Sequence, residues 1–288
     1  MTPETESDYR SFDAAGYIDT IGHLEDSEIS IALAVLALCS IQNERPKLDQ
    51  YLHHLHKVSK AVAQRYKDLL AGGAEDDAST RLASLKHILA DQENYVGDEQ
   101  GYSNIDSFDM LRSIDRRSGS SIILSILYMH VARQQGWVTY GIDFPCRFLL
   151  CLDYEDTRLL VDVADGCKIL QASDLRGLVK KHLGENAELS AHYYEPSNNR
   201  EILINLFNAI KSHQIVYEDY SAALSTVLLM RRVAPEEHRL FFDAGILYAK
   251  TDDAQSAILA LEQYIESEPA GKDRQDAVLL LQQIREDM

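Results

Sequence analysis

Beyond residue 201 the chain repeats itself. Ala223 and Ala257 stand 34 residues apart, and so do Pro235 and Pro269. A period of that length leaves few folds open: each unit is a pair of helices that cannot bury its own apolar face, so successive units stack and share one core. The residues between these markers agree. In "RLFFDAGILYAKTDDAQSAILALEQYIESEP", the aromatic and small side chains Phe241, Ala244, Gly245, Tyr248, Ala257, Leu261, Tyr264 and Pro269 fall at helical spacing. Small residues let the two helices of a hairpin approach closely, and the proline ends the second helix. The preceding unit fits more loosely, through Phe207, Ile210, Ala223, Val227, Met230 and Pro235, and "DRQDAVLLLQQIRED" reads as a closing helix. Stable arrays usually need three or more repeats, so this tail is expected to lean on the sequence ahead of it.

Thirty-four residues is the tetratricopeptide period. The sequence before it divides in two. To about residue 92 it reads as helix, with Ser27 as the expected cap of a helix carrying the apolar run "ISIALAVLALCSI". After Pro46, the recurrence of Leu48, Leu52, Leu55, Val58 and Val62 marks one apolar helix face. "AGGAEDDAS" is a loop, a further helix is expected over residues 80–90, and "YVGDEQGYSN" is too rich in glycine and polar residues to hold one. The middle stretch changes type. "SSIILSILYMHVARQQG" has the length and apolar density of a buried helix, closed by Gly136. "WVTYGID", "RFLLCLDY" and "TRLLVDVA" then read as strands, the last two flanking "EDT" as a hairpin. The pattern is a helix followed by an antiparallel meander, and the expected domains are 1–92, 93–192 and 193–288.

Composition excludes several functions. The net charge is −18, spread along the chain with no lysine or arginine cluster, which argues against nucleic acid and anionic membrane as partners and leaves basic protein surfaces open. The longest apolar run is far short of the roughly 20 residues a bilayer span needs. The acidic, polar first twenty residues do not read as a secretory signal. The four cysteines, Cys39, Cys146, Cys151 and Cys167, show neither paired metal-ligand spacing nor disulfide density, so a reduced cytoplasmic chain is expected.

The middle stretch resembles the SirB-type transglutaminase-like proteins, which carry a tetratricopeptide tail. In that family an arginine-rich turn leads through Gly-x-Pro into a helix, here "RRSGSSIILSILYMHVARQQG". A strand carrying Pro-Gly-His-Phe follows, here "PCRF", and then a strand ending Asp-Pro, here "VDVADG". The resemblance covers residues 27–284. It implies an α+β fold: a helical N-terminal subdomain, a small antiparallel sheet core, and C-terminal all-α tetratricopeptide repeats. The wider superfamily places a cysteine nucleophile, a histidine and an aspartate at three positions of this core. Those positions here fall at Ser121, Arg147 and Asp162.

A serine hydroxyl needs a general base, and arginine stays protonated, so only Asp162 keeps its part. An arginine beside an aspartate forms a charge pair instead, and a structural Arg147–Asp162 pair is expected where the family has histidine and aspartate. Cys146, next to Arg147, is the best lone thiol, yet it stands at the family's glycine and on the wrong element for the nucleophile. Cys151 is expected to be packed inside a strand. His53 and His56 fall beside Lys57 and Lys60 on the helix face opposite Leu52, Leu55 and Val62, and read as solvated rather than as metal ligands. No cofactor or metal is implied. The expectation is a non-catalytic protein that binds a protein or peptide partner through its repeats, in a scaffold or regulatory role. The alternative is a cysteine or serine hydrolase, or an acyl transferase, with a rearranged site on Cys146 or Ser121.

Overall fold

A computed structural model describes residues 12–42, 47–98, 103–145, 147–267 and 271–286. The chain forms two compact units. One gathers 12–17 with Leu24–Leu206, and the other gathers Ile18–His23 with Phe207–Met288.

In the first unit, α2 (Ile31–Gln42) is buried on every side from Ile31 to Ser40, as its apolar run requires. Ser27 does not cap it. It lies inside a 3₁₀ turn, Asp26–Glu28, and the chain enters α2 only at Ile31. Helix α3 (Asp49–Ala71) buries Leu52, Leu55, Val58 and Val62 on one face. Helix α4 begins earlier than expected, Ala78–Leu85, because Asp77 accepts the N–H of Thr80 as its cap. It then widens into a π-helical turn, Lys86–Gln92, which periodicity at 3.6 residues does not reveal. Part of the glycine-rich stretch read as loop is β1 (Val96–Gly97), paired in parallel with β2 (Ser118–Gly119) just after α5 (Met110–Arg116).

Helix α6 (Ser121–Arg133) is the axis of this unit. Ile122 through Met129 are buried between α2 and α3 on one side and the sheet on the other. At its C-terminal end the chain reverses through Gly136 (φ 75°), with Trp137 N–H reaching back to Ala132 carbonyl. The antiparallel sheet follows in the order β6-β5-β4-β3-β7: β3 Val138–Phe144, β4 Arg147–Tyr154, β5 Thr157–Asp162, β6 Lys168–Ile169 and β7 Pro196–Ser197. Strand β4 is central and buried on both faces. Ile142 and Phe144 of β3 with Leu149 and Cys151 of β4 form a second core under α7 (Ala172–Leu183), against Leu175 and Val179. Cys151 is thus packed, with 0% exposure. The β4–β5 hairpin turns at Glu155 (φ 49°).

The second unit takes the C-terminal part of α8 (Asn199–Val216) and then α9 (Tyr220–Val233), α10 (Arg239–Lys250), α11 (Ala254–Ser267) and α12 (Lys272–Glu286), each packed on the next from α9 onward. Ala257, Leu261, Tyr264, Ala277, Leu281 and Ile284 form its core, with Phe241, Phe242 and Tyr248 against them. Gly245 is required by close approach: a Cβ there would lie 2.7 Å from Cγ of Leu261. The helices of the 34-residue period therefore lie where the small residues place them. Helix α1 (Ala14–Ile21) contributes Ile18 and Ile21, both fully buried.

Candidate functional site

Ser121, Arg147 and Asp162 come from three elements that meet at one end of the sheet. Ser121 opens α6, and its Oγ accepts the N–H of Phe148 at 3.1 Å, which fixes the helix N-terminus to the start of β4. One residue earlier, Arg147 Nη1 donates to Oδ2 of Asp162 at the end of β5. The pair is asymmetric. The arginine side chain is 38% exposed, whereas Asp162 is 2% exposed. The other carboxylate oxygen, Oδ1, accepts the N–H groups of Ala164 (3.1 Å) and Asp165 (3.2 Å). Asp162 therefore does two things at once: it organises the turn after β5 and binds the guanidinium. A buried carboxylate needs such partners to be tolerable.

The short parallel pair braces this corner from outside. Gly97 N–H donates to Ala164 carbonyl at 3.3 Å, and Asp98 N–H donates to Gly119 carbonyl at 2.9 Å. Strand β1 thus ties the Asp162 turn to the residues that lead into α6. Only glycine fits at 97, since a Cβ would stand 2.7 Å from the Ala164 carbonyl oxygen. The sequence reading passed over this brace because two-residue strands leave no periodic signal.

No described thiol is poised for chemistry. Burial pushes Cys151 up to about 12, with the Asp153 carboxylate adding to it. Burial likewise raises Cys167 to about 11, and raises Cys39 further. Cys167 donates to the buried Tyr128 hydroxyl at 3.3 Å. Cys146 lies outside the described residues. His130 is on α6 nine residues after Ser121, about 13 Å along the helix axis; burial, then the nearby Arg133, lower it to about 4.

The histidine run holds a group that sequence reasoning missed. His53 is exposed and His56 half-buried, but His54 between them is buried. Its Nε2 lies 2.8 Å from the Tyr95 hydroxyl, which accepts from Arg117 Nη1 at 3.2 Å, while Arg117 Nη2 holds Glu93 at 3.0 Å. Burial, then the Arg117 charge, lower His54 to about 4. Arg117 takes a left-handed backbone (φ 57°) to reach it. The whole network is internally satisfied and locks the turn before β2. Its one sequence signal is that His54 follows Tyr51 at the i, i+3 spacing of the apolar face. Among the described residues, no group of three or more histidine, cysteine or acidic side chains is arranged to hold a metal, and no helix is long and apolar enough to cross a membrane.

Comparison with known proteins agrees with this architecture. Residues 49–208 match the model of the transglutaminase-like superfamily, and residues 210–285 match a tetratricopeptide repeat model. A UPF0162 protein of Xylella fastidiosa is 24% identical over 246 residues, which span 84% of this chain and 85% of that protein. A UPF0162 protein of Vibrio cholerae is 24% identical over 195 residues, 68% of this chain and 72% of its own. Human F-box only protein 21 is 23% identical over 258 residues, covering 81% of this chain but 40% of that longer protein. No solved structure matches. With a matched core that takes in α3 through the sheet, and a repeat tail directly after it, the chain belongs to the transglutaminase-like superfamily.

Proposed function

We propose that this is a non-catalytic protein-binding protein, a cytoplasmic scaffold or regulator, in which Ser121, Arg147 and Asp162 occupy the positions of a lost catalytic triad. The observation that carries the reading is the Arg147–Asp162 ion pair. A permanent cation cannot take a proton from a nucleophile, and here it consumes the carboxylate that would orient an imidazole. Two further facts support it. Ser121 Oγ is engaged by the backbone N–H of Phe148, and His54 Nε2 is engaged by the Tyr95 hydroxyl. Binding is assigned to the repeat tail, since stacked helical hairpins offer grooves for protein segments. The partner is a protein or peptide rather than nucleic acid or membrane, in keeping with the net charge of −18.

Turnover decides between this reading and the hydrolase or acyl transferase. The purified chain is assayed on an activated ester, a thioester and an amide with an amine acceptor, beside Ser121→Ala and Cys146→Ala. The expected result is identical, background-level rates for all three proteins. A rate in the parent chain at least tenfold above either variant overturns the non-catalytic reading.

A further inference from the structure

Helix α1 has eight residues, "AAGYIDTI", and contains a glycine and several β-branched side chains. Isolated helices of that length and composition do not persist in water. What holds this one is docking. Ile18 and Ile21, three residues apart and so on one face, are both fully buried. Between them Asp19 accepts from Arg232 at the end of α9, with Oδ1 at 3.0 Å from Nε and 2.5 Å from Nη2. Directly after them, Gly22 lies so close to α9 that a Cβ would stand 2.5 Å from Arg232 carbonyl oxygen and 3.4 Å from Cδ of Pro235. Residues Ile18–His23 accordingly belong to the repeat unit, although 213 positions separate Asp19 from Arg232.

Two aliphatic anchors on one helix face, a charged contact beside them and a glycine at the closest approach make up the helix-in-groove mode of peptide recognition. We propose that residues 18–23 are a peptide ligand held in cis against the end of α9, at a site that accepts, in trans, a partner helix of the same chemistry: aliphatic, Asp, any residue, aliphatic, Gly. The tether keeps the resident segment at high effective concentration, so a partner binds only by displacing it, and the segment acts as an autoinhibitory plug. This rests on the reading of the repeats as a protein-binding unit. It is nevertheless tested apart from it: the turnover assay judges the core, and the following binding assay judges the site at the end of α9.

The probe is a fluorescent synthetic peptide of residues 12–25. The proteins are the full chain and an opened full chain carrying Ile18→Asp and Gly22→Val. The peptide is expected to bind the opened chain saturably and the parent chain at least tenfold more weakly. A Gly22→Val peptide is expected to lose at least tenfold on the opened chain. Equal affinity for both chains, or no saturable binding to an opened chain that keeps its circular dichroism, overturns the proposal. Hydrogen exchange on the parent chain covers the case in which the opened chain unfolds. Peptide in large excess is expected to raise exchange in residues 18–23 while leaving α10 and α11 protected. Unchanged exchange in residues 18–23 overturns the proposal.

Discussion

In the sheet-bearing unit two buried polar side chains, Asp162 and His54, are held by partners on other elements. Asp162 meets Arg147 from the neighbouring strand, and His54 reaches Tyr95, which reaches Arg117. The repeat unit is built the other way. Its core is aliphatic and aromatic, its helices pack in chain order from α9 to α12, and its tightest contact needs an atom to be missing, at Gly245. One unit is specified by non-local polar satisfaction and the other by local shape. The two should therefore fail for different reasons: the sheet-bearing unit when a polar partner is lost, the repeats when a side-chain volume changes.

The largest effect is expected at Asp162. Asp162→Ala removes the carboxylate that Arg147 and the N–H groups of Ala164 and Asp165 share, and should cost about 3–5 kcal/mol in denaturant melts. Arg147→Ala, at the more exposed end of the pair, should cost about 1–3 kcal/mol. If both variants melt as the parent does, polar satisfaction does not specify the core and the contrast collapses. Gly245→Val tests the other half: the added methyls meet Leu261, and overpacking should cost about 1–3 kcal/mol, read as lost hydrogen-exchange protection confined to α10 and α11. Protection lost in β4 instead would mean that local shape is not what the glycine supplies.

Acid sharpens the comparison. His54 and His130 are held near 4 in the fold against an ordinary value of 6.5. Their contribution is fully present above pH 6.5. As pH falls from there toward 4, the unfolded chain takes up protons that the folded chain refuses, and stability drops. Between pH 7 and pH 5 the Tm of the sheet-bearing unit should fall by about 7–15 °C, and His54→Gln should flatten part of that slope. The smallest effect is expected at the exposed Asp19–Arg232 pair, where Asp19→Arg should change stability by less than about 1 kcal/mol.

The repeats and the α6–sheet order were legible because both are written in periodic apolar spacing, and the Arg147–Asp162 contact was legible because an arginine and an aspartate stand on adjacent strands, at positions the resemblance pairs. His54 was passed over because "LHHLH" offers three histidines within four residues, and only the tertiary fold decides which one turns inward. Ser27 was misread as a cap because a 3₁₀ turn intervenes before α2. The brace at Gly97 and the docking of α1 depend on backbone approach between segments distant in sequence, which no local pattern encodes.

The placement of α1 also has a consequence for biosynthesis. A ribosome adds roughly 5–20 residues per second. The 213 positions between Asp19 and Arg232 therefore correspond to about 10–40 s in which Ile18 and Ile21 exist with no site to enter. During that interval the two isoleucines have no partner surface at the end of α9, and the segment is open to chaperones and proteases until Arg232 and Pro235 have been made.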